Sequence, residues 1–342
     1  MPRDRATVRE VAAATGVSIA TVSRVLNQQG SVAPETRRLV ERAVEELGLR
    51  APSPRGGTAK PVAGAVYVRC PYVLTDYFGL IVSSIAETLD RHGRQLVLNA
   101  GEAAQHEQVL SRLPAQRDVG GAILILPPEP SQELVQLRAR RFPFVVVDPR
   151  TTLPRDIPSV SAAHHSGVRQ VTAHLTSLGH TRIGVIAGPN EWLAADARLS
   201  GHAAALAEAG ILRDPSLTRH VEPTVAQGHR AATELLDLDP RPTALVAFND
   251  KAAIGALQAA TERGLSVPGD LSIAGFDDID LSRATTPQLT TVRQPLQEMG
   301  RMAVSLLIRL LDRHELEALH VELATELIVR GTTGPRVSTI RS

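Results

Sequence analysis

The 342-residue chain has a single cysteine, Cys70, which excludes an internal disulfide and any thiolate metal cluster. Aromatic residues make up only 3% of it, with one tryptophan, and Lys60 and Lys251 are the only lysines. No run approaches the roughly 20 apolar residues that a membrane-spanning helix needs. No amino-terminal apolar stretch reads as a signal peptide, because Arg3, Asp4 and Arg5 lead straight into a helical pattern. The expectation is a cytoplasmic protein without a membrane partner. GxGxxG, a P-loop, a nucleophile elbow and metal-ligand spacings are also missing, so no cofactor and no catalytic centre are expected.

What is present starts at residue 7, with TVREVAAATGVSIATVSRVLNQQGSVAPETRRLVERAVEEL. Thr7 can cap a first helix with Glu10 reaching back to it, and Val8, Val11 and Ala12 form an inward stripe. Gly16 supplies the left-handed turn that ends this helix. Ser18 caps a second helix, Ile19–Asn27, whose Val22, Val25 and Leu26 face the core. Ile19, Ala20, Thr21, Ser23 and Arg24 are left on its outer side. A helix with such a slim amino-terminal end can enter the major groove of DNA. A third helix starts at Pro34 and turns Leu39, Val40, Ala43, Val44 and Leu47 inward before Gly48 stops it. Charge agrees with this reading. Residues 1–60 hold ten Lys/Arg against six Asp/Glu, whereas the remainder holds 27 against 30.

The order VAAATGVSIATVSRVLN…VAPETRRLVERAVEELG resembles the helix-turn-helix headpiece of LacI-type transcriptional regulators. The resemblance implies that Ile19 and Ala20 open the base-reading helix, that Arg24 contacts a base, and that Thr7, Ser18, Thr21, Ser23, Asn27 and Thr36 touch phosphates. Short hydroxyl and amide groups suit phosphate oxygens, and a guanidinium suits the paired acceptors of guanine. Ala33 departs from the family's usual Ser at that cap, at a cost of about 1 kcal/mol. The headpiece is assigned to residues 1–48. Residues 49–61, LRAPSPRGGTAKP, form a linker. It is shorter than the family's, and its three prolines oppose the hinge helix usual there.

From residue 62 to about 335, short apolar strands alternate with amphipathic helices, which predicts parallel sheets covered on both faces. Strands are expected at 62–68, 96–99, 122–126, 144–148, 183–187, 244–248 and 271–276. Helices are expected at 80–92, 105–113, 132–140, 165–178, 198–209, 226–236, 251–263 and 299–311. The pattern restarts near residue 160, implying two lobes with a crevice between them. LGHTRIGVIAGPNEW, TALVAFNDKAAIGALQAATERGLSVPGDLSIAGFDDIDL and PQLTTVRQPLQEMGRMAVSLLIRLL look like the effector-binding core shared with periplasmic sugar-binding proteins. The fold class is thus an all-α headpiece followed by a two-lobed, periplasmic-binding-protein-like α/β body. One lobe takes about 62–160 and 293–322, the other 161–292 and 323–335.

In that body the resemblance places Tyr77 and Phe78 as aromatic walls of the effector pocket, with Asp148, Arg198, Asn249, Asp277 and Gln294 hydrogen-bonding the effector. Trp192 could stack on a sugar face. Carboxylates, an amide and a bidentate guanidinium suit a sugar or related polyol. Asp250 and Asp278 read as caps or turn formers, and His164–His165 as surface or lobe-crossing residues rather than metal ligands. Ala162 stands where relatives often have an effector-contacting Asp. The implied protein is a homodimeric repressor that binds a pseudo-palindromic operator under effector control. Two rivals remain at this stage: a doubly wound enzyme using Asp277–Asp278 as an acid–base pair, and a ligand-binding protein that no longer binds DNA.

Overall fold

The computed structural model describes residues 8–26, 32–46, 64–314, 316 and 318–336. The chain divides into two compact units, Met1–Ala63 and Gly64–Ser342.

The amino-terminal unit contains α1 (Val8–Thr15), α2 (Ile19–Leu26) and α3 (Pro34–Glu46). Gly16 takes φ +67° between the first two, the left-handed conformation that the turn requires. Ser18 Oγ accepts from the Thr21 amide at 3.2 Å and so caps α2. Val11, Val22, Val25, Val40, Ala43 and Val44 close the core, with Ala12, Val17 and Val32 around it. Leu39 departs from expectation and stays 43% exposed. Its helical angle lies just outside the arc of Val40, Ala43 and Val44, and two eight-residue partner helices cover no more than that arc. Thr7, Asn27, Leu47 and the whole linker lie outside the described residues.

The carboxy-terminal unit begins with β1 (Ala65–Cys70), α4 (Asp76–Arg91), β2 (Leu96–Ala100), β3 (Val119–Ile125), α5 (Ser131–Ala139), β4 (Phe144–Val147) and β5 (Ser159–Ala162). It continues through α6 (His164–Ser177), β6 (Ile183–Ala187), α7 (Leu193–Glu208), β7 (Thr218–His220), α8 (Val225–Leu236), β8 (Ala244–Ala247), α9 (Asp250–Glu262) and β9 (Ser272–Ala274). The chain ends through α10 (Leu281–Ala284), β10 (Thr291–Arg293), α11 (Leu296–Leu311), β11 (His320–Leu323) and β12 (Glu326–Ile328).

A first parallel sheet has the order β11-β5-β4-β3-β1-β2, and a second the order β7-β6-β8-β9. β10 and β12 form an antiparallel ribbon that bridges to the second sheet at Ala274 and Asp277. Each sheet organises one lobe. Ile123, Leu124, Ile125 and Val145–Val147 are fully buried, as strands covered by helices on both faces must be. α4 and α11 close one face of the first sheet. In the second lobe α8 and α9 approach so closely that a Cβ on Gly255 would lie 2.1 Å from the Val225 carbonyl oxygen.

One expected helix is absent. Residues 105–113 form the end of a 3-10 turn, Glu102–His106, followed by irregular backbone. The Glu107 carbonyl is taken by the buried Arg69 guanidinium at 3.2 Å instead of by a helical amide. Pro114 disfavours helix at the preceding Leu113.

Candidate functional site

In the amino-terminal unit the capped end of α2 carries the predicted recognition residues. Ile19 is 52% exposed and Arg24 is exposed, so both are free to meet a partner. The Ser18 and Thr21 hydroxyls pair at 2.9 Å, and Thr36 is half-buried near the start of α3. Ala20 and Ser23 lie within α2. The amino-terminal end of this helix therefore offers backbone N–H groups and hydroxyls to an anion, with an apolar residue and a guanidinium beyond them.

In the other unit the loops after the strands bring most of the predicted pocket residues into one continuous chain of polar contacts. Tyr77, in the first turn of α4, donates its hydroxyl to Asp148 Oδ2 just beyond β4. Asp148 Oδ1 contacts His164 Nε2 at 2.8 Å, and His164 Nδ1 lies 3.3 Å from Arg198 Nη2. The Arg198 guanidinium donates to the Phe248 carbonyl and sits 3.9 Å from Asp277 Oδ1. Gln294 Nε2 then donates to Asp277 Oδ1 at 2.6 Å. Asp148, His164, Arg198, Asp277 and Gln294 are all buried.

Electrostatics follows from that burial. Desolvation would raise the Asp148 carboxyl, but His164, the Tyr77 hydroxyl and Arg198 outweigh it and hold it below its ordinary value. Burial raises Tyr77 well above its usual range, and the neighbouring Asp148 adds to the effect. Burial also lowers Arg198, against the pull of Asp277 and Asp148. Asp277 has fewer donors, so burial dominates and pushes it up to about 7 despite Arg198 and Gln294. The Arg198 guanidinium lies between two rings, 4.2 Å from the Phe248 centroid and 3.9 Å from that of Phe276. Asp148 and Asp277 adopt φ of +50° and +116°. Such strained backbone persists only where the surroundings over-determine it.

The aromatic residues are placed unevenly. Phe78 stacks flat on Tyr72 at 4.6 Å and edge-on to Tyr77 at 5.0 Å. Trp192 occupies the N-cap position of α7, edge-on to Phe248 at 5.9 Å, with the Arg150 guanidinium 5.4 Å from its ring. Three buried polar atoms of this cluster lack any hydrogen-bond partner: Trp192 Nε1, Arg198 Nε and Gln294 Oε1. A cavity of about 270 Å³ adjoins Asp277 and Gln294, and one of about 110 Å³ adjoins Asp148 and His164.

Asn249 differs from the rest. Its Oδ1 accepts from the Ala252 amide at 2.9 Å and caps α9, and its Nδ2 donates to the Pro223 carbonyl at 3.3 Å, so both ends of its side chain serve the fold. Asp250, unlike Asn249 and against expectation, is not a cap. It is fully buried, accepting from the Ile279 amide at 2.9 Å and from the Thr291 hydroxyl. Asp278 turns the opposite way from Asp277 and gathers Arg293, Arg330 and Arg283, which removes the acid–base pair. His164 is the residue that sequence reasoning set aside, and it links Asp148 to Arg198. It opens α6 directly after β5, where a parallel sheet positions ligand-facing groups, but with β5 not expected as a strand the sequence carried no signal of that place.

The family model for bacterial regulatory proteins of the lacI family matches residues 7–50, and that for a periplasmic binding protein-like domain matches residues 172–333. The HTH-type transcriptional repressor CytR of Escherichia coli K12 is 34% identical over 330 residues, covering 96% of both chains. The HTH-type regulator DegA of Bacillus subtilis is 32% identical, covering 97% of this chain and 99% of its own. A CelR–cellobiose complex superposes with a TM-score of 0.72 at 31% identity, over 96% of this chain and all of that one. The lac repressor dimer bound to operator and the anti-inducer ONPF gives 0.71 at 30% identity, over 97% of this chain and all of that one. With the capped α2, the two parallel sheets and the polar chain between them, these likenesses show that the protein belongs to the LacI family of DNA-binding transcriptional regulators and is not an enzyme.

Proposed function

We propose that this regulator is a repressor whose hold on DNA is controlled by a small sugar or related polyol bound between the two lobes of residues 62–335. The observation that carries the reading is the trio of unpartnered buried atoms, two donors and one acceptor, on Trp192, Arg198 and Gln294. Leaving such groups unsatisfied costs about 1–3 kcal/mol each. A polyhydroxylated ligand both accepts and donates, so it offsets that cost as it binds. Tyr77 and Phe78 wall the site, while Asp148, Arg198, Asn249 and Asp277 supply further polar contacts. A structural relative carries bound ribose at 26% identity, which supports the same chemical class.

On the DNA side, Ile19, Ala20 and Arg24 read bases, while Thr7, Ser18, Thr21, Ser23, Asn27 and Thr36 hold phosphates. A homodimer presents two such modules to a pseudo-palindromic operator, because one module alone spans too few base pairs for useful affinity. The site of action is the cytoplasm. Gel shifts on the DNA upstream of its own gene, repeated across a panel of sugars and nucleosides, test the reading. One compound should abolish or strengthen a salt-sensitive, sequence-specific shift, and a shift indifferent to every polyol refutes effector control of this class.

A further inference from the structure

All strands of the first sheet are parallel, so the segments leading into them share one edge. That edge is rich in arginine. Arg112 and Arg117 precede β3, Arg138, Arg140 and Arg141 precede β4, and Arg155 precedes β5; all six side chains are exposed. Hydrogen bonds show that these segments are neighbours: Arg140 donates to the Ser111 carbonyl at 2.8 Å and Arg138 to that of Asp156 at 3.3 Å. Arg138 also pairs with the Asp156 carboxylate at 3.5 Å. Among the described residues the other five have no carboxylate within ion-pair distance. Asp118 and Asp156 are the acidic groups in the segments before β3, β4 and β5; in sequence, the segment before β11 adds Asp312, Glu315 and Glu317 with Arg313, and the one before β2 adds Arg94.

This surplus is not inherited from composition, since the chain beyond residue 60 is net acidic. It is a concentration of positive charge in the segments before β3, β4 and β5. Self-repulsion among unpaired guanidinium groups disfavours such a cluster unless an external anion relieves it. The edge is also where the chain enters the sheet: the Ala65 amide donates to the Asp118 carbonyl at 2.6 Å, one residue from Arg117. Residues 47–63 tether this point to the amino-terminal helices. A duplex held by those helices is therefore presented to the arginines at a high effective concentration.

We propose that this arginine edge is a second, sequence-independent DNA contact, engaging phosphates of the duplex that flanks the operator. The inference rests on the DNA-binding reading of α2. Guanidinium groups suit phosphate oxygens bidentately, and the mode needs no base recognition. Affinity should thus depend on duplex length and on salt in a way that the headpiece alone does not produce.

The test uses the full-length protein and an operator recovered by selection from random duplexes, embedded centrally in fragments of about 20 and about 50 base pairs. R117Q/R141Q/R155Q should bind the short fragment like the unaltered protein. On the long fragment it should bind more weakly, with the slope of log K against log salt shallower by about 0.9 for each phosphate that is no longer neutralised. Arg24→Ala is the separating control. It should weaken binding by the same factor on both fragments, and if it does not, the assignment of α2 fails rather than that of the edge. Equal affinities and salt slopes for the triple variant and the unaltered protein on the long fragment overturn the proposal, as does an equal weakening on both lengths. Each altered side chain is exposed, so circular dichroism of the variant should be unchanged.

Discussion

Asp277→Asn should flatten the pH dependence of stability in the carboxy-terminal unit. Asp277 is 8% exposed and its carboxyl is pushed up to about 7, chiefly by burial. The unfolded chain releases that proton near the ordinary value of 3.8, so between about pH 4 and pH 7 the folded protein holds one proton more. A raised folded-state value contributes stability that is full below 3.8 and is lost as pH rises through 7. The slope is about 1.4 kcal/mol per pH unit, which over three units amounts to roughly 4 kcal/mol. Asn keeps an oxygen for Gln294 Nε2 and tolerates positive φ better than most residues, but it carries no charge. The only tryptophan, Trp192, packs against both lobes, so its fluorescence in urea reports this unit alone. Measured at pH 5, 6, 7 and 8, the variant should gain on the unaltered protein as pH rises. Groups that do not sense Asp277 cancel in that difference, whereas Asp250, whose carboxyl Asp277 helps to raise, relaxes in the variant and adds to the same trend. A difference independent of pH would show that Asp277 ionises normally in the fold and would refute the reasoning.

Arg24→Ala should weaken operator binding by about 1–3 kcal/mol and relax preference at one base pair per half-site, as read by gel shift against a substituted operator series. Arg198→Met should destabilise the carboxy-terminal unit by roughly 3 kcal/mol in the same fluorescence assay, because it strips Asp277 and His164 of a buried cation. Gly255→Ala forces a methyl group against the Val225 carbonyl, and parting α8 from α9 should cost about 1–3 kcal/mol, visible as a lower Tm by circular dichroism. Tyr77→Phe removes a donor that holds Asp148 low, so its cost should be present at pH 7 and fade in acid, once Asp148 is protonated. A cost equal at pH 7 and pH 3 would assign the effect to packing instead.

How much of this was legible in the sequence depended on how local the cause was. The cap at Ser18, the turn at Gly16 and the apolar runs of β3 and β4 carry their reasons within a few residues, and all were readable. β5, β7, β10, β11 and β12 were not expected as strands. They are three or four residues long, too short to show an apolar period, and Thr218–His220 is wholly polar, so they exist through pairing with neighbours. Residues 105–113 mimic a helix because Leu110 and Leu113 are both buried, and Arg69's claim on the Glu107 carbonyl is invisible in one dimension. His164 is the instructive case. Its partners Asp148 and Arg198 stand 16 and 34 residues away, and nothing in the HH pair distinguishes the buried ring from the exposed one beside it.

The polar chain also sets a condition on any effector. The Tyr77–Asp148–His164–Arg198–Asp277–Gln294 contacts run through the space between the lobes, with cavities of about 270 and 110 Å³ beside them. A ligand must exchange with some of them, and the Tyr77–Asp148 and Arg198–Phe248 hydrogen bonds are the most direct competitors. Lys251 adds a contact at the rim, donating from α9 to Thr75 at the start of α4 at 3.1 Å and so joining the two lobes. Each neutral bond is worth about 1 kcal/mol net, and those to charged groups about 1.5–3. The ligand gains that much less in affinity, but by the same amount it distinguishes a parted arrangement of lobes from a joined one. A ligand that bound both arrangements equally would shift nothing, however tightly it bound. On the proposed function, the contacts that occupy the crevice are what would give an effector its leverage over DNA binding.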